Sequence, residues 1–86
     1  MKLPRDLSGV ALARALGRVG YQVTRQTGSH LRLTTNLPTQ HHLTVPAHDP
    51  LKLGTLAAVL GAVATHLEID RDELLRRLFA GCDRHR

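Results

Sequence analysis

In the stretch RQTGSHLRL, residues 25–33, one histidine stands directly after a Gly-Ser pair and directly before an alternating Leu-Arg-Leu run. Imidazole titrates near pH 6.5 when unperturbed, so His30 can take or give a proton at neutral pH without special tuning. Arg25 and Arg32 stand close by in the chain, and a guanidinium holds phosphate oxygens in a planar fork. These are the parts needed to cleave a phosphodiester that carries its own nucleophile, as RNA does in its 2′-hydroxyl. Such a site has only to remove that proton, hold the phosphate in line and stabilise the charge that develops on its oxygens. The competing reading is that His30 finishes a turn. In that reading Gly28 supplies a positive φ, with Ser29 as its hydrogen-bonding companion.

Other chemistries are poorly supplied. His41, His42 and His48 fall within HHLTVPAH, but no cysteine or acidic helix motif accompanies them and strand alternation sends His41 and His42 to opposite faces. No metal site is expected there, and His48 is assigned to the loop that follows. No spacing of Asp and Glu resembles the clustered carboxylates of a two-metal nuclease. Cys82 is the single cysteine, which excludes an internal disulfide and suits a reducing cytosol.

The surrounding sequence predicts the elements that position His30. In DLSGVALARALGRVGY, Asp6 or Ser8 caps a helix on which Leu12, Leu16 and Val19 recur, and Gly20 ends it. YQVTRQ and HLRLTT alternate with the period of strands and are joined by the short TGS turn, a hairpin. Strict alternation puts Tyr21, Val23, Leu31 and Leu33 inward. It puts Gln22, Thr24, Gln26, His30 and Arg32 outward. HHLTVP forms a third strand with Leu43 and Val45 inward, His42 and Thr44 outward, and the prolines of PAHDP end it. A second helix is predicted from about Thr55, with a stripe of Leu56, Val59, Leu60, Val63 and Leu67. A third follows, in which Asp70 caps, Glu73 closes a capping box and Ile69 staples onto Leu74. The fold class is therefore α+β, in the order α-β-β-β-α with a short extra C-terminal helix, and the helices cover one face of a three-stranded antiparallel sheet.

An 86-residue chain makes one domain and buries too little surface for a deep enclosed pocket, so chemistry belongs on the open sheet face. We expect a single domain over 1–86, with a core at about 6–68, a helix at about 70–80 and a frayed tail at 81–86. Lys and Arg outnumber Asp and Glu by 12 to 7, a balance that favours a polyanionic partner. One Tyr, one Phe and no Trp leave almost no platform for stacking single-stranded bases. No apolar run is long enough to cross a membrane, and MKLPRDLSG lacks the apolar stretch of a secretion signal. A cytoplasmic location is expected, with no membrane contact. Arg71, Arg76, Arg77, Arg84 and Arg86 read as a solvated helix face and tail.

Four motifs in order carry a family resemblance: Gly-Tyr at 20–21, Arg-Gln-Thr-Gly-Ser-His at 25–30, Val-Pro-Ala-His at 45–48 and Lys-Leu-Gly-Thr-Leu at 52–56. Over Ser8 to about Leu60 the chain resembles the HicA family of small bacterial mRNA interferase toxins, also called YcfA-like. The resemblance implies a fold like that of the double-stranded-RNA-binding domain, endoribonuclease activity toward mRNA without a cofactor, and silencing by a HicB-type antitoxin protein. It places the catalytic histidine on His30 and its supporting turn on Gly28 and Ser29. It matches Arg25 and Gln26 to the hairpin arm and Lys52, Gly54 and Thr55 to the helix entry; with Arg32, a candidate for charge stabilisation from its place beside His30, the expected RNA contacts are Arg25, Gln26, Arg32, Lys52 and Thr55. Leu53 departs from the pattern, which often has a second basic residue there. A non-catalytic RNA-binding domain and a protein-interaction module are the alternatives.

Overall fold

The computed structural model describes residues 6–79. Its elements are helix α1, Gly9–Leu16, continued by a 3₁₀ turn at Gly17–Val19; strands β1, Gln22–Thr27, β2, His30–Thr35, and β3, His41–Pro46; and helices α2, Leu53–Leu67, and α3, Arg71–Phe79. The strands form one antiparallel sheet in the order β1-β2-β3. This is the α+β arrangement the sequence predicts. The tail at 81–86, with Cys82, Arg84 and Arg86, lies outside the described residues.

Helix α1 begins at Ser8, not Asp6, because the Ser8 hydroxyl accepts the Ala11 amide at 3.0 Å. Its α-helical part stops at Leu16 and tightens into the 3₁₀ turn, which Gly20 closes with φ +100°. The first turn lies so close to the end of β3 that a Cβ on Gly9 would stand 1.9 Å from the Pro46 carbonyl oxygen. The Gly9 amide donates to the His48 carbonyl at 2.8 Å, and the Leu51 amide to that of Leu7 at 2.8 Å. The chain around 46–51 is thereby laced to the start of α1.

Leu12, Leu16, Tyr21, Leu31, Leu33, Val45, Leu56, Leu60 and Val63 close the core between the helices and one sheet face. Burying each large side chain contributes roughly 1.5–3 kcal/mol. Helix α2 starts two residues before the predicted Thr55, with Lys52 as its extended N-cap residue. Helix α3 packs on α1, the 3₁₀ turn and α2, and its Leu74, Leu75 and Leu78 are fully buried. It is thus part of the core rather than an appendage. Asp70 caps it, accepting the Glu73 amide at 2.7 Å. The expected capping box gives way to ion pairs, because the Glu73 carboxylate takes Arg76 and, at 2.9 Å, Arg77. Those hydrogen bonds hold the carboxyl below its ordinary pKa.

Candidate functional site

The β1–β2 connection is a two-residue hairpin in which Thr27 pairs with His30. Gly28 has φ +54°, and among the described non-glycine residues only Asp6 and Glu68 have positive φ. A positive φ confined to the first loop position is the pattern of a type II′ turn, which asks for glycine there and fits the twist of the flanking strands. The Ser29 carbonyl accepts the Ala47 amide at 2.6 Å, so the hairpin tip is pinned to the segment that α1 holds. His30 opens β2, with Thr27 beside it on β1 and Pro46 beside it on β3. His30 is exposed.

Strand β1 carries a bulge. Val23 pairs with Leu33, yet Arg25, not Thr24, pairs with Arg32. The extra residue reverses the alternation for the rest of the strand, and directly opposed residues share a face. Arg25 therefore joins Arg32 and His30 on the open face. Gln26, expected outward, pairs with Leu31 and lies on the helix side in a groove with Val10 and Val23. Val23 is on the inward side as expected but is 49% exposed, because β1 is an edge strand.

Arg25, Thr27, His30, Arg32 and Thr44 line a shallow cleft of about 220 Å³. It has one imidazole, two guanidiniums and two hydroxyls, enough to receive a phosphate on hydrogen-bond donors with a proton acceptor alongside. Thr44 is on the outward face as alternation predicts, whereas Thr27 escaped sequence reasoning, although a two-residue hairpin at Gly28-Ser29 dictates that Thr27 faces His30. Lys52 and Thr55 do not line this cleft; they stand at the start of α2.

The other histidines are dispersed as alternation predicts. His42 is outward, its Nδ1 2.9 Å from the Thr34 hydroxyl. His41 is inward, its Nδ1 2.7 Å from the Tyr21 hydroxyl, and it stacks on His66 with ring centres 4.3 Å apart. His66 Nε2 lies 3.2 Å from the Leu37 carbonyl and 3.0 Å from that of Thr39. Partial burial, then the neighbouring His66 and His42, push the His41 imidazole below its ordinary pKa. Burial pushes the Tyr21 hydroxyl up. His48 contributes its backbone carbonyl to the α1 contact. Among the described residues, no three His, Cys, Asp or Glu side chains gather as a set of metal ligands. Also among them, no single helix is long and apolar enough to cross a membrane.

No curated protein and no solved structure matches the chain. A family model described as the HicA toxin of bacterial toxin-antitoxin systems matches residues 11–63, a span that runs from α1 through the sheet and the cleft into α2. The chain belongs to the HicA family of toxins.

Proposed function

We propose that this toxin is a metal-independent endoribonuclease that cleaves mRNA on the open face of its sheet, with His30 as general base and acid. The observation that carries this reading is the bulge at Thr24, which sets Arg25 opposite Arg32 and beside His30 in one cleft. The His30 imidazole takes the proton of a ribose 2′-hydroxyl as O2′ bonds to the adjacent phosphorus. The P–O5′ bond breaks, and the imidazolium gives its proton back to the departing O5′. The products are a 2′,3′-cyclic phosphate and a 5′-hydroxyl. Arg25 and Arg32 hold the phosphoryl oxygens, whose charge grows in the transition state, while Gly28 and Ser29 fix the turn that presents the imidazole. Lys52 and Thr55, at the exposed start of α2, bind the strand farther from the reacting bond. Because no described residue covers the cleft, a HicB-type antitoxin silences it by covering His30, Arg25 and Arg32, and the toxin acts on cytoplasmic transcripts.

The test is His30→Ala. The side chain is exposed and contributes nothing to the core, so stability changes by only about 0.5 kcal/mol. RNA binding persists on the guanidiniums, whereas cleavage falls by on the order of 10²–10⁴-fold, the usual worth of positioned acid-base catalysis. Induction of the wild type arrests growth, and co-expression of a cognate HicB-type antitoxin relieves the arrest; the variant leaves growth and transcripts intact. A folded His30→Ala protein that cuts RNA at the wild-type rate refutes the assignment.

A further inference from the structure

The open face carries a second ordered imidazole that the cleavage step does not use. Cross-strand pairing arranges this face in three rungs. His30 lies with Thr27 and Pro46, Arg32 with Arg25 and Thr44, and Thr34 with Gln22 and His42. Successive rungs on one face are two residues apart, about 7 Å, so the third lies roughly 13 Å from the first. That is too far for His42 to reach the atoms His30 acts on, but it continues the same polar track with the arginine rung between.

The third rung is internally wired. The Thr24 hydroxyl donates to the Arg32 carbonyl at 3.4 Å, the Thr24 and Thr34 hydroxyls are 3.0 Å apart, and Thr34 Oγ1 is 2.9 Å from His42 Nδ1. Each hydroxyl has one hydrogen to give. The two short contacts, Thr24 to Thr34 and Thr34 to His42, hold the imidazole by its Nδ1 edge and leave Nε2 on the exposed side of the sheet. A side chain oriented by such a relay is pre-organised to hydrogen-bond through its remaining ring nitrogen.

We propose that His42, oriented by Thr34 and Thr24, forms a second RNA subsite that hydrogen-bonds through Nε2 to a nucleotide flanking the cleaved bond. This inference rests on the ribonuclease reading of His30. The partner group on the flanking nucleotide is either its 2′-hydroxyl or the polar edge of its base. His42 is a binding residue, and Thr34 and Thr24 are positioning residues that act through it.

The experiment maps the bond cut by the wild type in a single-stranded oligoribonucleotide, then compares three substrates: the full strand, the same strand with 2′-deoxy flanks, and the cleaved dinucleotide alone. His42→Ala raises KM on the full strand about three- to tenfold, the range of one hydrogen bond, leaves kcat unchanged, and has no effect on the dinucleotide. Thr34→Val produces a smaller rise in KM, and Thr34→Ser restores the wild-type value. If the deoxy flanks remove the effect of His42→Ala, the partner is the 2′-hydroxyl; if base substitution at the flank removes it, the partner is the base edge. An equal change on the full strand and the dinucleotide, or no change on either, overturns the subsite. Should the wild type cut none of these substrates, the ribonuclease reading fails. The subsite is then decided by fluorescence anisotropy on the same oligonucleotides, where an unchanged Kd for His42→Ala overturns it.

Discussion

Replacing Gly9 with alanine isolates the contact on which the geometry of the hairpin tip depends. A Cβ at this position would meet the Pro46 carbonyl oxygen at 1.9 Å, the Pro46 carbonyl carbon at 2.8 Å and the Ala47 Cα at 3.0 Å. All three are backbone atoms, so no side chain can rotate away, and α1 and the end of β3 must part by about 1 Å in a close-packed interior. Overpacking of this kind costs about 1–3 kcal/mol. Stretching the 2.8 Å bond from the Gly9 amide to the His48 carbonyl adds about 1 kcal/mol. Alanine's better helix propensity returns roughly 0.5–1 kcal/mol. The net loss is about 1–3.5 kcal/mol, which for a domain of this size lowers Tm by roughly 4–28 °C. Gly17→Ala is the internal control: its φ is −59° and nothing lies within 4 Å of the added methyl, so Tm holds or rises slightly. Thermal melts of the three proteins by circular dichroism make the comparison. A Gly9→Ala protein that melts within about 2 °C of wild type refutes the close approach of α1 to β3. The Ala47 amide anchors Ser29, so cleavage by Gly9→Ala also falls below wild type at temperatures where both are folded.

Three further outcomes follow from the site and the histidine cluster. Arg25→Ala weakens binding of single-stranded RNA and flattens its salt dependence by about one unit of slope, whereas Gln26→Ala leaves both unchanged; titrations at several salt concentrations check this, and the opposite ranking refutes the bulge register. Cleavage survives EDTA, because His30 and the two arginines supply proton transfer and charge; loss on chelation and return with magnesium, with RNA folding controlled, refutes this. The fold keeps His41 below its ordinary pKa, so the unfolded chain binds the extra proton first. Stability from His41 is complete above the unfolded value near 6.5 and is lost as pH falls below it. Tm of the wild type therefore declines between pH 7 and 5 more steeply than that of His41→Gln, and parallel curves refute the linkage.

The elements were legible because their signals are local. Ser8 and Asp70 act as caps, the stripe from Leu56 to Val63 is helical, and alternation across 30–35 and 41–46 gives two strands their faces. The cleft was half legible. His30 and Arg32 sit on one strand, so period-two counting places them together. Arg25 and Gln26 exchange faces because of a bulge at Thr24 that no glycine or proline marks, and only the pairing of β1 with β2 reveals it. The Tyr21–His41–His66 cluster was hidden for another reason: it joins the starts of two strands to the end of a helix, and no periodicity within one element encodes such a meeting. The burial of α3 depended likewise on the positions of α1 and α2, which its own sequence does not specify.

The bulge also divides β1 into two stretches of independent phase. Gln22 and Val23 keep step with Thr34 and Leu33, while Arg25, Gln26 and Thr27 keep step with Arg32, Leu31 and His30. Loss of Thr24 would merge the stretches into one continuous ladder without moving any of these residues to the other face, at the cost of the hydroxyl bridge to Thr34. The strand is thus a splice point at which chain length can change by one residue while the cationic end and the apolar end keep their assignments. The stretch that carries Arg25 can be remodelled without changing the faces of Gln22 and Val23.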